Sequence, residues 1–184
     1  MVPEAPLEDT AHGLVPAGAG WFVVNAREAR WRDDGDLGFL CYFEGDGEAA
    51  FAQLGINLKV LEPGQPMCMY HYEVDQEDFL VLAGEALLIV EGEERPLAQW
   101  DFVHCPPRTE HVIVGAGAGP SLILSVGARI DSTGEDWGAY TVDAAALRHG
   151  AGVERETTEW AEAYAHLRER DPTRYRDGWL PTET

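Results

Sequence analysis

At 184 residues the chain is of single-domain size, and 45% hydrophobic with 10% aromatic residues supplies a core, which sets a disordered chain aside. A formal charge of -20, from 33 acidic against 13 basic residues, repels phosphate backbones and anionic lipid, so neither nucleic acid nor a membrane surface is an expected partner. The polar start, Met1 to Gly20, has no basic segment followed by an apolar one, and the most apolar stretch, Phe79 to Val90, is broken by Gly84 and Glu85. Cys41, Cys68 and Cys105 have no CxxC spacing and suggest neither a disulfide framework nor a zinc knuckle, which fits a cytoplasmic protein.

In chain order, residues 1–20 read as a loose arm rich in Pro, Gly and Ala. From Trp21 to Ile130 short apolar or alternating segments are separated by Gly, Pro and Asp turns, the spacing of an all-β barrel or sandwich. The expected strands are Gly20 to Asn25, Leu37 to Phe43, Leu54 to Leu61, Cys68 to Val74, Asp78 to Ala83, Ala86 to Val90, Phe102 to Cys105, His111 to Val114 and Leu122 to Ala128. Pro63, Pro66, Pro106 and Pro107 belong at strand ends or loops, because proline has no N–H for a ladder. After Ile130 the texture becomes helical. Asp143 caps a short helix that Gly150 stops, and Thr157 or Thr158 caps a longer one with Trp160, Tyr164 and Leu167 on one stripe. Residues 131–184 are therefore expected as a helical extension packed on a barrel of residues 21–130.

On one expected strand His71 and Glu73 point to the same face, and Glu77 follows before the next strand. His111 opens a later strand after Pro106-Pro107-Arg108. Two neutral imidazoles and one or two carboxylates form a mixed N/O donor set suited to Fe, Mn, Ni or Zn. Bland readings compete residue by residue: Met67, Cys68 and Met69 read as core packing, and Asp75, Gln76 and Asp78 as a solvated turn. His12, His104, His149 and His166 carry no signal of chemistry.

The spacing resembles the first cupin motif, Gly, five residues, His-x-His, three or four residues, Glu, six residues, Gly. It maps onto His71, Glu73, Glu77 and Gly84, while Gly64 stands one residue too far from His71. The second cupin motif maps onto Trp100, Pro106, Arg108, His111 and Gly115, with Trp100, Arg108 and Gly115 departing from its fixed residues. The resemblance, from about Leu54 to Arg129, implies an RmlC-like jelly-roll β-barrel, a homodimer, and one divalent transition metal bound by His71, Glu77 and His111. The family's second His is Glu73 here, which is expected to act as a fourth metal ligand or as a catalytic base. The implied function is metal-dependent chemistry on a small molecule, of oxygenase, isomerase, lyase or decarboxylase type, or binding of a small molecule or metal without turnover. Two carboxylates and the strong negative charge favour a neutral or cationic ligand.

Overall fold

The computed structural model describes residues 1–131, 136–168 and 170–181. Its strands are β1 (Leu7–Thr10), β2 (Gly13–Pro16), β3 (Arg30–Asp33), β4 (Phe39–Tyr42), β5 (Leu54–Leu61), β6 (His71–Glu73), β7 (Glu77–Ala83), β8 (Glu85–Val90), β9 (Glu93–Leu97), β10 (Phe102–Cys105), β11 (His111–Ala116), β12 (Ser121–Ala128) and β13 (Gly138–Tyr140). Two short helices follow, α1 (Ala144–Arg148) and α2 (Trp160–Ala163), and then β14 (Asp171–Thr173). Among the described residues these strands form a β1-β2 hairpin, a sheet ordered β10-β7-β12-β5-β4-β3-β14 and a sheet ordered β13-β6-β11-β8-β9. This is an all-β jelly roll with a small helical segment. No described helix is long and apolar enough to cross a membrane.

Alternation decides which side chains meet. From β7, β11 and β12, Phe79, Val81, Ile113 and Ile123 point between the two sheets and form the inner core with Leu61 and Leu88. The opposite face of β3, β4 and β5 carries Trp31, Cys41, Leu58 and Val60, which the tail residues Trp179 and Leu180 cover. Trp179 lies 4.9 Å from the Trp31 ring and 4.2 Å from that of Phe39. The outer face of the other sheet, Tyr70, Ile89, Val112 and Val114, is closed by Ala145 and Ala146 of α1. Gly84 makes the turn between β7 and β8 at φ 75°, where a Cβ would meet the Pro120 carbonyl oxygen at 2.5 Å.

Several sequence expectations change. The first twenty residues are not a loose arm: they carry the β1-β2 hairpin, Ala5 and Val15 are buried, and the Leu14 amide donates to the Glu28 carbonyl at 2.7 Å. Gly20 to Asn25 forms no strand, only a bridge from Trp21 to Glu4, and its alternation leaves Trp21 and Val23 exposed. Cys68 to Val74 shrinks to His71–Glu73, because the chain before it bends, with the Met67 amide bonding to Ile113 and the Tyr70 amide to Ala151.

The Asp143 cap forms as expected, its carboxylate accepting from the Ala146 amide at 2.8 Å. The second helix is only the four residues of α2, although Thr157 Oγ1 does accept from the Glu159 amide at 3.1 Å. Its end is set by tertiary contacts: the Tyr164 ring packs 5.5 Å from Tyr140, and its hydroxyl accepts from the Met69 amide at 3.2 Å. Beyond it the extension is largely strand and coil, with β14 paired to β3.

Candidate metal centre

The two histidines come from adjacent strands. His111 on β11 is the direct cross-strand partner of His71 on β6, and their rings lie 5.2 Å apart. Glu77, the first residue of β7, reaches them from the opposite sheet. Its Oε2 lies 3.6 Å from His71 Nε2 and 3.4 Å from His111 Nε2. One ligand atom from each of the three residues falls within 4.8 Å of the others. The bent segment before β6 and the turn before β11 both serve this geometry. The first places the Met69 carbonyl 2.8 Å from His71 Nδ1, and the second places the Thr109 carbonyl 3.0 Å from His111 Nδ1.

A carbonyl can only accept, so each Nδ1 carries the hydrogen and each neutral ring turns the Nε2 lone pair toward Glu77. His111 Nε2 and Glu77 Oε2 are buried and have no hydrogen-bond partner among the described residues. Orphaned buried acceptors cost about 1–3 kcal/mol each, more when charged, and a shared cation satisfies both at once. The donor set fits a divalent transition metal.

Burial and mutual charge shift the titration of all three groups. Burial pushes the Glu77 carboxyl up to about 7, against the pull of His71 and with the help of Glu73. Burial also pushes His111 down to about 4, reinforced by His71. His71 goes the other way: burial works against its cation, yet Cys68, Glu73 and Glu77 together raise it well above the ordinary imidazole value.

Glu73 is brought near without joining the converging trio. Its Oε1 is 3.8 Å from His71 Nε2, and its side chain is 28% exposed against 15% for Glu77. It lies on the wall of a cavity of about 560 Å³ that opens over Glu77 and is bounded by Asn57, Arg129, Tyr140 and Trp160. The floor is bare backbone: Gly55 and Gly127 face each other in register on β5 and β12. A Cβ on Gly55 would sit 3.1 Å from the Arg129 guanidinium, so the missing side chain lets that group lie across the floor. Arg129 in turn is held by Glu44 at 2.7 and 2.8 Å.

Arg108, which stands where the cupin pattern has glycine, adopts φ 68° and so keeps the glycine-like turn. Its amide donates to the Glu73 carbonyl at 2.7 Å, tying the His111 turn to β6. Asp75 is not solvated as expected: it is buried and accepts from the Ile130 and Asp131 amides at 2.9 and 3.0 Å. His104 pairs with Asp78 at 2.7 Å and stays exposed. Trp137 and Tyr140, whose rings lie 6.3 and 6.0 Å from His71, were not singled out from the sequence. Their signal is tertiary, since β13 pairs with β6 across more than sixty intervening residues.

A cupin-domain family model matches residues 57–127. Among solved structures the chain is similar to the polyketide cyclase RemF from Streptomyces resistomycificus, at 12% identity and TM-score 0.50, over 59% of this chain and 79% of that one. It is also similar to a proposed sugar phosphate isomerase from Acidithiobacillus ferrooxidans, at 28% identity and TM-score 0.45, over 50% of this chain and 61% of that one. An RmlC-like cupin family protein with a double-stranded β-helix fold from Methanocaldococcus jannaschii aligns at 22% identity and TM-score 0.40, over 42% of this chain and 72% of that one. The chain thus spans less than two thirds of the isomerase. No protein of curated function matches this sequence. The matched segment runs from β5 to β12 and contains His71, Glu77 and His111, so it is this central part of the chain that is similar to a cupin domain.

Proposed function

We propose that His71, Glu77 and His111 hold one divalent transition metal of the Fe, Mn, Ni or Zn group, and that a small molecule binds beside it in the cavity over Glu73. The observation that carries this reading is the convergence of two imidazole Nε2 atoms and one carboxylate, two of these atoms being buried and unpartnered among the described residues. A bound ion there would supply Lewis acidity with coordination positions open to the cavity, the requirement shared by oxygenase, isomerase, lyase and decarboxylase chemistry. The chain's own part is to orient both rings through Met69 and Thr109 and to wall the site with Tyr140 and Trp137.

Elemental analysis of protein purified without chelator or His tag tests the reading. About one transition metal per chain supports it, and none retained or taken up from added Fe, Mn, Ni or Zn overturns it. Glu73 is proposed as the cavity-side acid or base, or as a fourth ligand. In Glu73→Ala the first role predicts retained metal with turnover lower by about 10² to 10⁴. The second predicts a metal affinity lower by at least about 10 to 100-fold. Unchanged metal and unchanged turnover would remove Glu73 from both. A binding module without turnover rests on the same three donors, and is the reading left if metal-loaded protein neither consumes O₂ nor turns over small carbonyl and carboxylate compounds.

We also propose a homodimer. β10 is the edge of its sheet, and Trp100 and Phe102 beside it are each 65% exposed, the kind of apolar edge that a second copy covers. A monomeric mass by light scattering at micromolar concentration would refute it.

A further inference from the structure

A second cavity, of about 520 Å³, lies on the face of β3 and β4 that carries Arg30, Arg32 and Tyr42, and it shares Arg129 with the cavity over Glu73. Its charge is at odds with the chain. Only 13 of 184 residues are Lys or Arg, against 33 acids, yet three arginines line this one cavity. Arg30 and Arg32 alternate on β3 and so project to the same side, and both guanidinium groups stack against the Tyr42 ring, at 5.6 and 4.8 Å.

The neighbouring acids are mostly occupied. Both oxygens of Glu44 bind Arg129, and one also accepts from the Phe51 amide. Asp34 is shared by Arg32 and Lys59. Arg30 is left with the Glu44 carbonyl at 3.2 Å and with Asp46 at a long 3.4 Å, and the Asp46 side chain is 90% exposed. Arg30 Nε is buried with no partner among the described residues. An exposed ion pair of that length contributes about 0–1 kcal/mol, so Asp46 is a displaceable occupant, and the buried N–H still lacks an acceptor.

We propose that this cavity is an anion-binding site that takes the phosphate or carboxylate group of a small molecule between Arg30, Arg32 and Tyr42. Net charge alone favours neutral or cationic ligands; the local arrangement of arginines reverses that preference here. The site lies beside the metal centre and does not include it: β4, β5 and β12 stand between β3 and β7, and Arg129 is the one residue that lines both cavities.

The test titrates inorganic phosphate and, separately, benzoate into the full chain freed of metal with EDTA, followed by calorimetry. The expected result is saturable binding of at least one of the two. Arg30→Gln should weaken it by about 10 to 100-fold, the equivalent of one charge-assisted hydrogen bond. His111→Ala should leave it unchanged. Asp46→Asn removes an exposed competitor without touching the core and should tighten binding, so the proposal stays testable if Arg30→Gln fails to fold. No saturable binding of either probe, binding equally strong in Arg30→Gln, no gain in Asp46→Asn, or loss in His111→Ala would overturn it.

Discussion

Replacing His111 with Ala is expected to lower the affinity for a divalent transition metal by more than about 100-fold, since loss of mere second-shell support already costs about 10 to 100-fold. His111 is 1% exposed, and its Nε2 points at Glu77 Oε2 from 3.4 Å with no other partner among the described residues. Removing it leaves His71 and Glu77, two donors instead of three. Metal titration by calorimetry, with elemental analysis of the same samples, measures the change, and an affinity equal to that of the unaltered chain would sink the assignment. The pH dependence has a definite sign. Because burial lifts Glu77 to about 7, metal must displace a proton from the site in acid, and affinity should fall by up to about tenfold per pH unit below 7. His71, which is raised well above the ordinary imidazole value, also gives up a proton to the metal and should extend a dependence of the same sign above pH 7.

Asp34→Asn is expected to cost about 3–5 kcal/mol of stability, the usual consequence of leaving a buried charge without its partner. Lys59 on β5 is 4% exposed and Asp34 2%, and their charged atoms meet at 2.8 Å. Burial works to raise the Asp34 carboxyl, but Lys59 and Arg32 outweigh it and hold it below the ordinary carboxylate range. Burial pulls the Lys59 ammonium down, and Asp34 is what holds it up. Asparagine removes the only carboxylate recorded against that ammonium among the described residues. Lys59→Met should cost less, because Arg32 still pairs with Asp34 and the methionine refills the volume.

Urea unfolding with an unchanged m-value measures both. Equal losses in the two variants would show that packing, and not the stranded charge, sets the cost. Since the folded carboxyl lies below its unfolded value, its stabilisation is present above the unfolded pKa of about 4 and is lost as pH falls through the folded one. Below about pH 4 the stability of Asp34→Asn should therefore depend less on pH than that of the unaltered chain.

The strands legible in the sequence are those whose inward residues are apolar. Leu54–Leu61 and Phe102–Cys105 have the expected bounds, and Glu77–Ala83, Glu85–Val90 and Ser121–Ala128 begin one residue earlier than expected. β3 escaped notice because its inward residues are Arg30 and Arg32, which face a cavity instead of the apolar core, so the alternation signal is inverted. β9 is Glu-Glu-Arg-Pro-Leu, exposed over four of its five residues, and has no hydrophobic period to read.

The short tail helix shows the opposite error. Of the apolar stripe Trp160, Tyr164 and Leu167, the last two pack against the cluster of Met69 and Tyr140 without a full helix, and Trp160 stays 52% exposed.

The sequence by itself determined the all-β character and the cupin-like spacing, and put forward His71, Glu77 and His111 as candidate ligands, because side-chain period and motif spacing are local properties of the chain. Tertiary structure alone decided the rest. Sheet order set His71 opposite His111 and brought Glu77 to them from the other sheet, leaving Glu73 on the cavity wall. It also laid Arg129 over Gly55, β13 beside β6, and Trp179 on Trp31. The physical reason is that strand pairing is a competition among backbone hydrogen bonds and buried faces far apart in sequence. A two-residue period reports which way a side chain points, and carries no information about which strand it will point at.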